Sequence, residues 1–158
     1  MKPGADSLHI RPMTAGDLSS VMRIAESLSG APHWPQAAYV AALNPESIPK
    51  RIAMIASEPG GGAVIGFAVA SLIPPQSELE TIAVAAQSRR RGLASRLFED
   101  LVEELRAAGA NEILLEVRCS NEAALGFYRS LGFKQSGRRS GYYADPIEDA
   151  IQMSLSLD

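Results

Sequence analysis

Cysteine is almost absent from this chain. Cys119 stands alone, so no internal disulfide can form, and one thiol with two histidines cannot assemble a typical zinc site. Long apolar runs are also missing. The longest, residues 63–73, is well short of the roughly 20 residues that cross a bilayer, and Met1-Lys2-Pro3-Gly4-Ala5-Asp6 has no signal-peptide core. These absences fit a reducing, cytoplasmic setting without membrane or metal. Positive charge is not in excess: 15 Lys and Arg stand against 18 Asp and Glu, for a net charge of −3. That argues against a nucleic-acid scaffold, and the one local cluster, Arg89 to Arg91, lacks interleaved aromatics. No lysine follows a glycine as a P-loop requires, Gly60-Gly61-Gly62 does not complete G-x-G-x-x-G, and G-x-S-x-G does not occur. With no repeat or low-complexity linker, residues 1–158 read as one domain, long enough to bury roughly two thirds of its unfolded surface.

The patterning alternates strands and helices. Residues 8–12 read as a strand, and Thr14 with Asp17 starts a helix over 18–28 that Gly30 ends. Pro32 and Pro35 bracket a loop before a short helix at 36–43. Strands follow at 51–57 and 63–72 around a glycine hairpin turn, and Pro74-Pro75 breaks the chain before a strand at 80–84. Leu93, Leu97, Leu101, Val102 and Leu105 recur at helical spacing over 92–108, with Gly109 as the C-terminal stop. A strand at 113–117, a helix at 122–131 and strands at 133–139 and 149–157 complete a mixed α/β sheet with helices on both faces.

The junction Arg89-Arg90-Arg91-Gly92-Leu93-Ala94 carries the most chemistry. A helix start offers unpaired N–H groups and the positive end of the dipole, Gly92 lets a ligand approach the main chain, and the arginines add fixed charge, so the junction suits phosphate. The pattern [RQ]-x-x-G-x-[GA] arises by chance in roughly one chain of this length in seven, and its strand-to-helix context gives it weight.

This strand, loop and helix resemble the acetyl-coenzyme A signature of the GNAT N-acetyltransferases. Leu115-Glu116-Val117-Arg118-Cys119-Ser120-Asn121, Ala123-Ala124 and Phe127-Tyr128-Arg129-Ser130-Leu131-Gly132-Phe133 are similar to the family's bacterial RimI type, which acetylates the N-terminal amine of a ribosomal protein. The match is dense over 78–157 and thinner before, where Ala31-Pro32-His33-Trp34 resembles a Pro/Trp segment of the family. The resemblance implies a GNAT fold, a mixed and mostly antiparallel sheet of about seven strands. It also implies acetyl transfer from acetyl-CoA, without a metal, to a primary amine.

Residue by residue, it places the pyrophosphate on Arg89, Arg90, Arg91, Gly92, Leu93, Ala94 and Ser95. It places the pantetheine arm along the backbone of Ile82, Ala83 and Val84, residues that are otherwise plain apolar strand. Asn121 caps a helix and gains a contact to CoA. Glu116 interrupts an apolar strand, where it is either the general base or a polar-face glutamate paired with Arg118. Tyr128, twelve residues on, is either the acid that serves the departing thiolate or a core aromatic on the stripe Ala124, Tyr128, Leu131. His33 and Trp34 in one loop, and Tyr142 and Tyr143 between the last two strands, are either amine-side walls or local lids. Glu80, where the RimI type has an apolar residue, is a second base or an amine-binding charge. Cys119 reads as a packing residue. Two rivals stand beside a peptide acceptor: a GNAT acting on a small amine or amino acid, and a catalytically silent acetyl-CoA sensor.

Overall fold

A computed structural model describes residues 8–28, 34–89 and 92–158. His33, Arg90 and Arg91 lie outside the described residues. The strands are β1 (His9–Pro12), β2 (Lys50–Ser57), β3 (Val64–Ile73), β4 (Gln76–Val84), β5 (Glu112–Arg118), β6 (Lys134–Tyr143) and β7 (Glu148–Ser156). The helices are α1 (Leu18–Glu26), α2 (Gln36–Leu43), α3 (Leu93–Ala107) and α4 (Glu122–Ser130). All seven strands join one sheet in the order β1-β2-β3-β4-β5-β7-β6, antiparallel throughout except where β5 lies parallel to β4. That parallel step needs a crossover, which α3 supplies.

The apolar residues of each strand divide between two cores. Leu97, Leu101 and Leu105 of α3 and Leu125 of α4 pack with Ala68, Ile113 and Leu115 on one face of the sheet. Val21 and Ile24 of α1 and Tyr39 of α2 pack with Ile55, Phe67 and Val69 on the other. The helical stripe read from the sequence is the buried face of α3, with Phe98 added. At its end Gly109, at φ +101°, donates to the Arg106 carbonyl (3.0 Å), while the Ala110 N–H reaches Leu105 (2.9 Å). This pair of bonds closes a helix on a left-handed residue, the conformation glycine adopts without strain.

Three readings need correction. β4 begins at Gln76, directly after Pro74-Pro75, because its first residues pair with both β3 and β5. β6 runs on to Tyr143, so Tyr142 and Tyr143 are strand residues and not loop residues; Tyr143 pairs with Glu148. Helix α1 ends at Glu26, and a 3-10 turn over Ala15–Asp17 precedes it.

The parallel contact is short. β4 and β5 pair only at Gln76↔Glu112, Ser77↔Ile113 and Glu78↔Leu114. Beyond that, β4 carries an irregularity against β3: Val69 faces Thr81 while Ala70 faces Leu79, leaving Glu80 as an extra residue. A bulge bends its strand and reverses the side-chain alternation, so Leu79 and Ile82 pack toward the same core. The two strands diverge past Glu78, and the cleft between them passes through the sheet. Among the described residues no helix is long and apolar enough to cross a membrane.

Asp17 anchors the first turn. Its carboxylate accepts two bonds from the Arg11 guanidinium (2.7 and 2.8 Å) and bonds from the N–H and hydroxyl of Thr14 (2.8 and 3.1 Å). The Arg11 bonds, joined by those of Thr14 and opposed by burial, lower its pKa from 3.8 to about 2. A depressed carboxylate stabilises the fold above its unfolded pKa, and that contribution is lost as pH falls through the folded value. Arg11 is 37% exposed, which discounts the effect to about 1–2 kcal/mol. Denaturant unfolding of Asp17→Asn should show that loss at pH 7, shrinking as pH falls from 4 toward 2.

Candidate active site

The cleft between β4 and β5 holds a cavity of about 630 Å³. Its walls include Ile82 from β4, Leu115, Glu116 and Val117 from β5, Asn121 before α4, and Ala124 and Tyr128 on α4. Arg89 stands at its mouth, at the end of a 3-10 turn over Ala86–Ser88 that links β4 to α3. A second, more open cavity of about 450 Å³ joins it, lined by Arg51, Glu78, Tyr142 and Tyr143 among others. Leu79, Glu80, Glu116 and Tyr143 line both.

Gly92, at φ +71°, begins α3 in a left-handed conformation, and a Cβ placed there would meet nothing within 4 Å. The first helical bond runs from the Arg96 N–H to Gly92 (3.1 Å), so the N–H groups of Leu93, Ala94 and Ser95 have no intrahelical acceptor. The Leu93 side chain is buried in the core, which leaves its backbone as the part that can meet a ligand. Alongside, the backbone edge of β4 from Leu79 to Val84 has lost its β5 neighbour. Ile82 faces the first cavity, whereas Ala83 packs into the α1–α2 core and Val84 against the α3 core.

Asn121 caps α4, its side-chain oxygen accepting from the Ala124 N–H at 3.1 Å, and it also lines the first cavity. Tyr128 is packed as its core reading expects, its ring edge-on to Phe133 (5.7 Å), and it also lines the first cavity. Burial, reinforced by Tyr143, pushes its hydroxyl up to about 12. Such a phenol holds its proton throughout the neutral range.

Glu116 lies on β5 opposite Gln152, on the face turned away from the α3 core. Its side chain is 20% exposed, its Oε2 is buried without a hydrogen bond, and the Arg139 Nε lies 3.4 Å from that oxygen. Arg118 pairs elsewhere. It donates to Glu148 at 2.9 Å and its guanidinium lies over the Tyr143 ring at 4.5 Å, so the Glu116–Arg118 pair of the alternative reading does not form. Arg139 lies 5.1 Å over the ring of Tyr142. Burial and the charge of Glu116 raise the Tyr143 hydroxyl above its ordinary value.

Glu80 is already matched, since Arg51 Nε sits 3.0 Å from its Oε1. Trp34 packs on Tyr39 at 5.1 Å against the second core and lines neither cavity. Cys119 packs against the first core with its thiol 3.9 Å from Glu148. Among the described residues no three His, Cys, Asp or Glu side chains are placed to hold a metal ion.

Sequence reasoning missed Arg51, Arg139 and Glu78. Arg51 meets Glu80 across 29 residues and Arg139 reaches Glu116 from β6. The single-chain pattern holds no short-range signal for such contacts, which follow from cross-strand register.

The arrangement is a helix start whose first N–H groups have no intrahelical acceptor, a stretch of β4 without a β5 neighbour, a protonated tyrosine on the first cavity, and a glutamate where the two cavities meet. The chain is 40% identical over 98 residues to the ribosomal protein bS18-alanine N-acetyltransferase of Escherichia coli K12, covering 61% of this chain and 66% of that relative. It is 38% identical over 97 residues to the N-alpha-acetyltransferase RimI of Mycobacterium tuberculosis, covering 59% of this chain and 60% of that one. The chain thus matches at most about two thirds of the length of these curated relatives. The crystal structure of the ribosomal-protein-S18-alanine N-acetyltransferase from Escherichia coli superposes with a TM-score of 0.80 at 29% identity, covering 96% of this chain and 94% of that chain. The acetyltransferase (GNAT) family profile matches residues 21–133, and the chain belongs to the GNAT family.

Proposed function

We propose that this protein is a single-domain cytoplasmic enzyme that transfers the acetyl group of acetyl-CoA directly to the α-amine of a protein N-terminus, with a ribosomal protein as the acceptor that the names of its relatives favour. The observation that carries this reading is Glu116, a carboxylate that lines both cavities where they meet and whose Oε2 is ion-paired with Arg139 at 3.4 Å without a hydrogen bond. An incoming amine meets this carboxylate from the second cavity.

Acetyl-CoA supplies the activated acyl group. The N–H groups of Leu93, Ala94 and Ser95, together with Arg89 to Arg91, receive its pyrophosphate, and the free edge of β4 guides its arm toward Glu116. A backbone N–H on that edge polarises the thioester carbonyl. The amine approaches from the second cavity, on the other side of the sheet. Its nitrogen bonds to the acyl carbon, the carbon–sulfur bond breaks, and the sulfur leaves with the electron pair. The amine's proton passes to Glu116 or through a water. Direct transfer from an α-ammonium to an ordinary carboxylate is uphill by about 3.5 pKa units, or about 5 kcal/mol, and a lysine ammonium adds about 2.4 units more. The lower cost favours α-amines. Tyr128, with its proton held to about pH 12, steadies the departing sulfur as a hydrogen-bond donor and relays the proton that the thiolate finally takes.

Competition tests the acceptor. A peptide with a free N-terminus and a small first residue should be acetylated faster than the same peptide blocked at its terminus and offering lysine, read by mass spectrometry of the acetylated position. A win for the lysine peptide, or reaction only of a free small amine, removes the N-terminal reading and leaves the family intact. Gly92→Glu should weaken acetyl-CoA binding by at least about tenfold in calorimetry while the protein stays folded, because charge repels at the helix start. An unchanged affinity contradicts the phosphate site. Glu116→Gln should cut kcat/KM for peptide by about 10²-fold or more, most strongly below neutral pH, with acetyl-CoA affinity retained. Tyr128→Phe should slow thiolate release, and the parent pH–rate profile should show no loss below pH 10 that Tyr128→Phe abolishes.

A further inference from the structure

The wall of the second cavity has an uneven charge balance. Glu78, Glu80 and Glu116 all line it. Glu80 has Arg51 at 3.0 Å and Glu116 has Arg139 at 3.4 Å. Glu78 has no ion-pair or hydrogen-bond partner among the described residues. It is also the last β4 residue paired with β5 before the strands part, facing Leu114 across the ladder. Ile113, Leu115 and Val117 point into the α3 core, so Leu114 and Glu116 turn to the other face of β5, which Glu78 shares. Partial withdrawal from water, and then repulsion by Glu80 and Glu116, raise its pKa above the ordinary glutamate value, while Arg139 opposes them. An unmatched carboxylate among like charges is relieved by a cation from outside.

We infer that Glu78 is a specificity-determining residue that receives a cationic side chain at the second position of the acceptor peptide. This rests on the N-terminal reading above and adds the chemistry of the residue that follows the reacting amine. Glu116 sits where the cavities meet and Glu78 lies farther out in the second one, which is the side from which a peptide leaves the reaction centre. Strand spacing and rise put their Cα atoms roughly 8 Å apart, within reach of an α-amine and the head group of the next lysine or arginine on an extended chain. The two arginines near this wall are already held by carboxylates, and the nearby ring of Tyr142 lies under Arg139. Glu78 is therefore the group left to choose among second residues.

The test uses three peptides that differ only at position two, as Lys, Gln or Glu, with the full-length enzyme, its Glu78→Gln and Glu78→Lys variants, and acetyl-CoA at saturation. Glu78 is open to solvent, so neither variant removes packing. The parent should prefer Lys over Glu in kcat/KM by roughly three- to tenfold, mostly through KM, with the preference shrinking as salt rises. Glu78→Gln should bring the three peptides to within about twofold, and Glu78→Lys should reverse the order. A Lys preference that survives in Glu78→Gln places recognition elsewhere and overturns the assignment. An equal drop in kcat on all three peptides makes Glu78 a participant in proton transfer and also overturns it. If the parent acetylates a small amine and none of the peptides, the N-terminal reading itself falls and this assignment with it.

Discussion

The separation of β4 from β5 is the constraint on which the rest of this structure depends. Two parallel strands that stayed paired would satisfy each other's backbone and leave no room between them. Here pairing stops at Glu78↔Leu114, and the extra residue Glu80 turns β4 aside. Three results follow from that one irregularity. A cavity opens between the strands, the β4 edge past Glu78 has no β5 partner among the described residues, and α3 begins with N–H groups that have no intrahelical acceptor. The proposed acetyl-CoA, with a pyrophosphate at one end and a thioester carbonyl at the other, would lie along that edge.

The two cavities divide the site. Arg89, Asn121 and Tyr128 line the first, and Arg51, Glu78 and Tyr142 line the second, so the proposed mechanism brings the thioester to one and the amine to the other. Glu116 borders both. Its surroundings hold paired charges: Arg139 lies 3.4 Å from Glu116, and Arg51 lies 3.0 Å from Glu80. Tyr128 is the counterpart, a group that burial keeps neutral.

Much of this was legible in the residues because it was local. Gly92 announced the start of α3, the leucine stripe announced the helix itself, and Gly109 marked its end, since each signal lies within a few residues of its partner. Spacing and resemblance singled out Glu116 and Tyr128 together, and both line the first cavity, although neither residue type alone separates catalysis from packing. The partners were not legible. Arg51 with Glu80, and Arg139 with Glu116, meet only after register is set over several strands. Tyr142 and Tyr143 looked like loop residues because the strand pattern was read to end at residue 139, yet β6 runs through them and Tyr143 pairs with Glu148 of β7. Trp34 looked like a wall, and its ring is spent on Tyr39.

Hydrogen exchange read by mass spectrometry, with and without acetyl-CoA, tests the role of the open strand edge most directly. Binding should slow exchange at residues 79–84 and 92–95 together, because one ligand spans the edge of β4 and the start of α3, and should leave the β1–β2 pair unchanged. Protection at 92–95 without any at 79–84, or protection at neither, would contradict the account.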